Sequence, residues 1–279
     1  MRLSAEQVYK KLIEEDRILE KRGQIKFSFD DVDIVVKQKD VVGNIIQEWL
    51  QGWFDKRGVE YAPSENTQMP PDFFLNPSDK KRDLLEVKAF NRSASPGFDI
   101  ADFRMYEEEI IDRPYMLDVD YLIFGYDLDK FGNVTVKDLW LKKVWEITRR
   151  MDKWALNLQV KQGVVQKIRP GVWYSDKKGN IPMFKCLEDF IAAMEETVYQ
   201  NPKTHNDAAL WRQRFIASYD NFYGVELKIP RWIDVRENTG RIETLKSDPS
   251  RSSSFRRFWG PEISGFSRTL FFCALCAAH

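Results

Sequence analysis

The chain has 279 residues, 43% of them hydrophobic, with 9 Trp and 19 Phe, which suffices for one large core or two modest ones and excludes a disordered chain. Lys+Arg and Asp+Glu both number 43, so overall charge points to no polyanionic partner; only the distribution of charge along the chain can. Three Cys, an odd number, exclude a disulfide framework, and the N-terminal MRLSAEQVYKKLIEE has no apolar signal core, so a reducing cytoplasm is the expected setting.

Ser4 and Gln7 have capping-box spacing, and residues 4–22 read as an amphipathic helix ended at Gly23. Ile25, Phe27 and Phe29 alternate as a strand does. Residues 40–57 carry the strongest helical pattern: Val41/Val42, Ile45/Ile46, Trp49/Leu50 and Trp53/Phe54 recur every four residues, and Gly58 can end the helix. The stretch PPDFFLNPSDKKRDLLEVKAF, 70–90, reads as two apolar strands around a polar turn. Residues 99–111 predict a second helix, stopped by Pro114. YLIFGYDL at 121–128 predicts a buried strand, the turn 130–133 follows, and VTVKDLWLKKVWEI predicts its partner. Residues 204–224 look helical and 225–232 like a late strand. The order predicts an α/β (α+β) fold, a mixed central sheet flanked by helices. From residue 240 the periodicity is lost, so 1–239 is expected to be one domain and 240–279 an irregular tail, of the kind a shifted reading frame would leave. Cys273, Cys276 and His279 in that tail supply three of the four ligands a structural zinc needs and read as incidental.

Charge shifts along the chain. Residues 99–120 hold eight acids against two Arg, whereas 141–185 hold eleven Lys/Arg against three acids. Trp145, Trp154, Trp173 and Tyr174 are interleaved in the basic stretch.

The hairpin at 70–90 raises a question of its own, because two buried-looking strands carry Asp72, Glu86 and Lys88. With the turn centred on Asp79, Asp72 and Glu86 fall opposite each other, and Glu86 and Lys88, two apart, leave the same face. Two opposed carboxylates repel, and folding gains nothing from that pairing. A divalent cation between them reverses the sign, and two carboxylates with retained waters suit Mg²⁺. Such a centre can activate water against phosphorus while a lysine offsets charge on the phosphate. The alternative is a solvated face of a half-exposed hairpin. Pro70-Pro71 before Asp72, the apolar FFL and LLEV, and the apolar-faced helix just upstream favour a site.

Pro71-Asp72 followed by Glu86-Val87-Lys88 resembles the PD-(D/E)XK nuclease signature. VVGNIIQEWL, NTQMPPDFFLNP, LLEVKAFNR, PGFDIADFRMY, YMLDVDYLIFGYD and KIRPGVWY resemble type II restriction endonucleases of the NgoBV/NlaIV type, over about residues 1–236. The resemblance implies a restriction-endonuclease-like core at about 40–145 and Mg²⁺-dependent hydrolysis of double-stranded DNA at a short palindrome, GGNNCC, leaving 5′-phosphates. It implies Asp72 and Glu86 as metal ligands, the Val87 backbone carbonyl as a further one, Lys88 as the catalytic lysine, and Glu48 as an additional acid. A palindromic target implies a homodimer, and a restriction system implies a matching DNA methyltransferase. Guanine is read by Arg or Lys in the major groove. The candidates in the basic region at 141–185 are Arg149, Arg150, Lys153, Lys161, Lys167 and Arg169, with base readers and phosphate clamps not separated. A repair or junction nuclease, or a non-catalytic DNA-binding protein, are the alternatives.

Overall fold

The run DYLIFGYDL, and LLEVKAFN apart from Glu86, Lys88 and Asn91, are mostly apolar, as strands covered on both faces are. In the computed structural model, which describes residues 1–239 apart from 20, 67 and 176–180, these runs become the middle of the molecule. The chain runs α1 (Ala5–Lys10), β1 (Arg22–Gln24), β2 (Lys26–Phe29), β3 (Val32–Val35), α2 (Val42–Arg57), β4 (Ala62–Pro63), β5 (Phe73–Phe74) and β6 (Leu84–Asn91). It continues through β7 (Ala101–Asp102), α3 (Phe103–Asp112), β8 (Asp120–Leu128), β9 (Asn133–Lys142), α4 (Val144–Ile147), β10 (Leu158–Lys161) and β11 (Val164–Ile168). The last elements are α5 (Leu187–Gln200), α6 (Ala208–Tyr223) and α7 (Trp232–Asn238).

A six-stranded mixed sheet has the order β1-β9-β8-β6-β5-β4. Its parallel pair is β6 and β8, with Glu86 beside Tyr121 and Lys88 beside Ile123. The β10-β11-β7 strands form a three-stranded sheet, and β2-β3 a two-stranded one. Side chains alternate along β6. Leu84 and Phe90 join a core with α3, α5 and α6, while Leu85 and Val87 join another with α1 and α2. Helices thus cover both faces of the sheet, the mixed α/β architecture the element order predicts.

Helix α2 buries Val42, Ile46, Leu50, Trp53 and Phe54, the stripe its period requires. Each such side chain contributes about 1.5–3 kcal/mol by leaving water. Gly58 ends the helix at φ 63, a left-handed conformation that a Cβ would strain.

The helix read over 99–111 starts only at Phe103, because Ala101 and Asp102 pair with β11 as β7, and three further predicted elements differ. The helix read over 4–22 starts with its capping box, Ser4 Oγ accepting from the Gln7 N–H at 3.3 Å. It holds to Lys10, passes into a π-helical turn at Lys11–Glu15 and stops at Asp16. The cause lies in another element: Asp16 accepts from Trp53 Nε1 at 2.8 Å and pairs with Arg57, both on α2. Gly23 therefore sits in β1, not at a helix end. The strand read over 134–147 ends at Lys142, where the last residues turn into α4, with Glu146 accepting from the Lys143 N–H at 2.8 Å. Residues 225–231 form no strand; Leu227 and Ile229 are buried, but the Ile229 carbonyl accepts from Arg212 instead of a neighbouring strand. The expected tail at 240–279, with Cys273, Cys276 and His279, lies outside the described residues. Among the described residues no helix is long and apolar enough to cross a membrane.

Candidate active site

The hairpin register is the one that a turn centred on Asp79 demands. Phe73 pairs with Leu85 and Phe74 with Leu84, so Asp72, one residue before β5, comes beside Glu86. The Asp72 carboxylate is held at both oxygens. Oδ2 accepts from the Val87 N–H at 2.8 Å, and Oδ1 accepts from Gln47 Nε2, on α2, at 2.9 Å. Glu86 is 4% exposed. Its Oε1 is 2.7 Å from Lys88 Nζ, and its Oε2 is buried with no hydrogen-bond partner among the described residues.

These groups open onto a cleft of about 320 Å³. One wall is the start of α2, with Gly43, Asn44 and Gln47; the opposite wall is Phe98 to Asp102 and Lys167. Asp102 caps α3, accepting from the Met105 N–H at 3.2 Å, and lies 3.5 Å from Lys167 Nζ. Asp99 lies 3.0 Å from Arg169 Nε.

Burial and charge act against each other here. Burial pushes the Asp72 carboxyl above its usual range, and the Val87 N–H, the Lys88 charge and Gln47 pull it back only in part. Burial pushes Glu86 up to about 7, with the Asp72 charge adding to it and Lys88 opposing. Burial works against the charge of Lys88, but Glu86 and Asp72 outweigh it and hold the ammonium above the usual lysine value. Two carboxylates thus face one lysine, and burial is the largest cause of the upward shift of both acids.

Such a site fits a cation. An unbonded buried carboxylate oxygen is the atom a metal ion would satisfy. Among the described residues no three His, Cys, Asp or Glu side chains are grouped to hold a metal. The donor set is two carboxylates with the neighbouring backbone, the sparse, water-rich kind that Mg²⁺ accepts.

The structure brings Asp72, Glu86, Val87 and Lys88 to the cleft and leaves Glu48 out of it. Glu48 is exposed on α2, while its neighbour Gln47 reaches Asp72. Asn44 and Gln47, three apart and so on one helix face, line the cleft together. Of the basic candidates, Lys167 lines the cleft, and Arg169 braces its wall through Asp99 and the Gly97 carbonyl. Lys153 and Lys161 are exposed. Arg149 and Arg150 are turned to backbone: Arg149 Nη1 donates to the Arg150 carbonyl at 3.1 Å, and Arg150 Nε to the Thr239 carbonyl at 3.0 Å.

Comparison with known proteins gives a consistent answer. The family described as NgoBV restriction endonuclease matches residues 2–239. The type II restriction enzyme NlaIV of Neisseria lactamica is 66% identical over 235 residues, 84% of this chain and 97% of that protein. The type II restriction enzyme NgoBV of Neisseria gonorrhoeae is 60% identical over 162 residues, 58% of this chain and 92% of that protein. A solved NlaIV restriction endonuclease superposes with a TM-score of 0.83 at 65% identity, covering 86% of this chain and 98% of that one.

Proposed function

The chain belongs to the NgoBV restriction endonuclease family, and from that premise we propose that it hydrolyses double-stranded DNA at GGNNCC with Mg²⁺. Asp72, Glu86 and Lys88 are its catalytic residues in this reading. The observation that carries it is the meeting of Asp72, Glu86 and Lys88 in one cleft, with Glu86 Oε2 buried and unbonded.

Bound Mg²⁺ would supply positive charge at the scissile phosphate and ease the ionisation of water. Asp72 and Glu86 would hold it, joined by the Val87 carbonyl. Gln47 and the Val87 N–H fix the Asp72 carboxylate in one orientation. Lys88, anchored on Glu86, orients the attacking water and offsets charge that builds on the phosphate oxygens. Water adds to phosphorus, the bond to the 3′ oxygen breaks, that oxygen leaves as a hydroxyl, and the phosphate stays on the 5′ end.

Lys167 faces the DNA backbone from the cleft wall, and Lys153 and Lys161 extend the contact. Arg149 and Arg150 support the fold of that region. The palindrome calls for two copies of the chain, one per half-site. A methyltransferase acting on the same sequence completes the system without contacting this chain.

The test is a digest of a plasmid of known sequence by the purified chain with Mg²⁺, beside Asp72→Ala. Discrete fragments mapping to GGNNCC, absent with the variant, are expected. Fragments mapping elsewhere would discard the target and keep the chemistry. Structure-selective nicking would point to a repair enzyme, and intact DNA from a folded, DNA-binding chain would sink the nuclease reading.

A further inference from the structure

The β2–β3 hairpin has two unlike faces. Phe27 pairs with Ile34 and Phe29 with Val32, so these four side chains share one face, while Ser28 pairs with Asp33 on the other. Val35 belongs to the second face, and that face is turned to the molecule: a side chain at Gly132, in the β8–β9 turn, would run into Val35 Cγ1. The apolar face is left outward. Phe27 is 56% exposed, Phe29 74%, Val32 57% and Ile34 50%. Among the described residues the hairpin pairs with no third strand, and a lone two-stranded hairpin is marginal in water unless its apolar face is covered.

The patch continues past the hairpin root. Ile25, whose carbonyl accepts from the Val36 N–H at 2.8 Å, lines a second apolar hollow with Ile45 and Trp49 of α2. Ile45 and Trp49 are 40% and 43% exposed. The exposed parts of these six side chains amount to on the order of 600 Å², close to the roughly 800 Å² that each partner buries in a specific protein interface. Monomeric proteins rarely leave such a patch open.

We propose that this surface, the apolar face of β2–β3 with Ile45 and Trp49, is where a second copy of the chain docks. The inference rests on the reading of a two-fold nuclease, which needs one self-complementary surface per subunit. It also places that surface next to the chemistry. The link from β3 leads through a 3-10 turn at Lys39–Val41 into the N-terminal half of α2, where Gly43, Asn44 and Gln47 form a wall of the cleft. Docking at the hairpin would hold both clefts at a fixed separation on the DNA.

The experiment is sedimentation of the full chain across concentration, combined with a photo-crosslinking phenylalanine analogue in place of Phe29. The parent chain should sediment at twice its 32.9 kDa mass, and the crosslink should join two chains through residues 25–49. Phe29→Asp should weaken self-association by about tenfold or more while its circular dichroism stays that of the parent. If Phe29→Asp fails to fold, the crosslink in the otherwise native chain decides. A monomeric parent, an unchanged dimer with Phe29→Asp, or a crosslink to DNA or to residues 240–279 of the same chain would each overturn the proposal. These readouts need no cleavage, so a dimer without cleavage would count against the nuclease reading alone. Site-specific cutting by a chain crosslinked elsewhere would count against the interface alone.

Discussion

Gln47→Leu removes the side-chain donor that, among the described residues, holds Asp72 Oδ1, at 2.9 Å. The Val87 N–H remains on Oδ2, so the carboxylate keeps its place in the chain but is free to turn about that single bond. A hydrogen bond to a charged group is worth about 1.5–3 kcal/mol, and an open cleft lets water replace part of it. A loss of about 1.5–2.5 kcal/mol in orienting the carboxylate corresponds to ~10–70-fold weaker metal binding, in the range found when a supporting partner of a metal ligand is removed. The Mg²⁺ concentration for half-maximal cleavage should rise by about that factor, with the rate at saturating Mg²⁺ largely restored. Gln47 is half-buried at the cleft and outside either core, so the unfolding midpoint should hardly move. A Mg²⁺ titration of plasmid cleavage, with calorimetric titration of Mg²⁺ into the DNA-free chain, measures both. An unchanged Mg²⁺ requirement in both assays would refute the idea that Gln47 positions Asp72.

Lys88→Ala should abolish cleavage and leave DNA affinity within about threefold, because the lysine faces Glu86 at 2.7 Å and one phosphate contact among many is small; equal loss of both in gel-shift and digestion would make Lys88 structural. Lys161→Ala should weaken binding and lower the salt slope by about 1, since one phosphate contact is lost, whereas Arg150→Ala should lower the melting temperature, because its guanidinium holds the Thr239 and Met151 carbonyls. The opposite assignment in fluorescence anisotropy and thermal melts would reverse these two roles. Glu107 is pushed from its usual 4.5 up to about 7, by burial first, with the Glu108 charge adding and the Trp211 N–H opposing. Between those values the folded chain holds a proton that the unfolded chain has given up, so stability falls as pH rises from about 4.5 to about 7, and the cost is full above that. Glu107→Gln should therefore stabilise the metal-free chain by about 2 kcal/mol at pH 8 and by well under half of that at pH 5; equal urea midpoints for both chains at pH 8 would contradict this.

What could be read in advance was what local period and symmetry fix. Helix α2 is written in the recurrence from Val42 to Phe54, and its end in Gly58. The meeting of Asp72 with Glu86 follows from equal spacing about Asp79, and the Phe73–Leu85 pairing has that register. What escaped depends on distant partners. Gln47 and Glu48 are adjacent, and a helix turns about 100° between them, so only the position of the sheet decides which one meets Asp72. The break at Asp16 is made by Trp53 and Arg57, far along the chain. Arg150 looks like the lysines beside it until the distant Thr239 carbonyl comes within reach.

The two-sided burial of β6 sets how the gene can vary. Leu85 and Val87 point into one core, Leu84 and Phe90 into the other, and Glu86 and Lys88 keep the phase between them. Loss of one codon between 84 and 88 would slip that phase and drive Glu86 or Lys88 into packed Leu and Phe. The turn at 77–82 is mostly exposed and ties itself locally, the Arg82 N–H donating to the Asp79 carbonyl. Insertions there should be nearly silent. Insertions and deletions should therefore be lost from the strand and kept in the turn a few codons upstream, so that length variation among descendants of this gene marks the edge of the site before any activity is assayed.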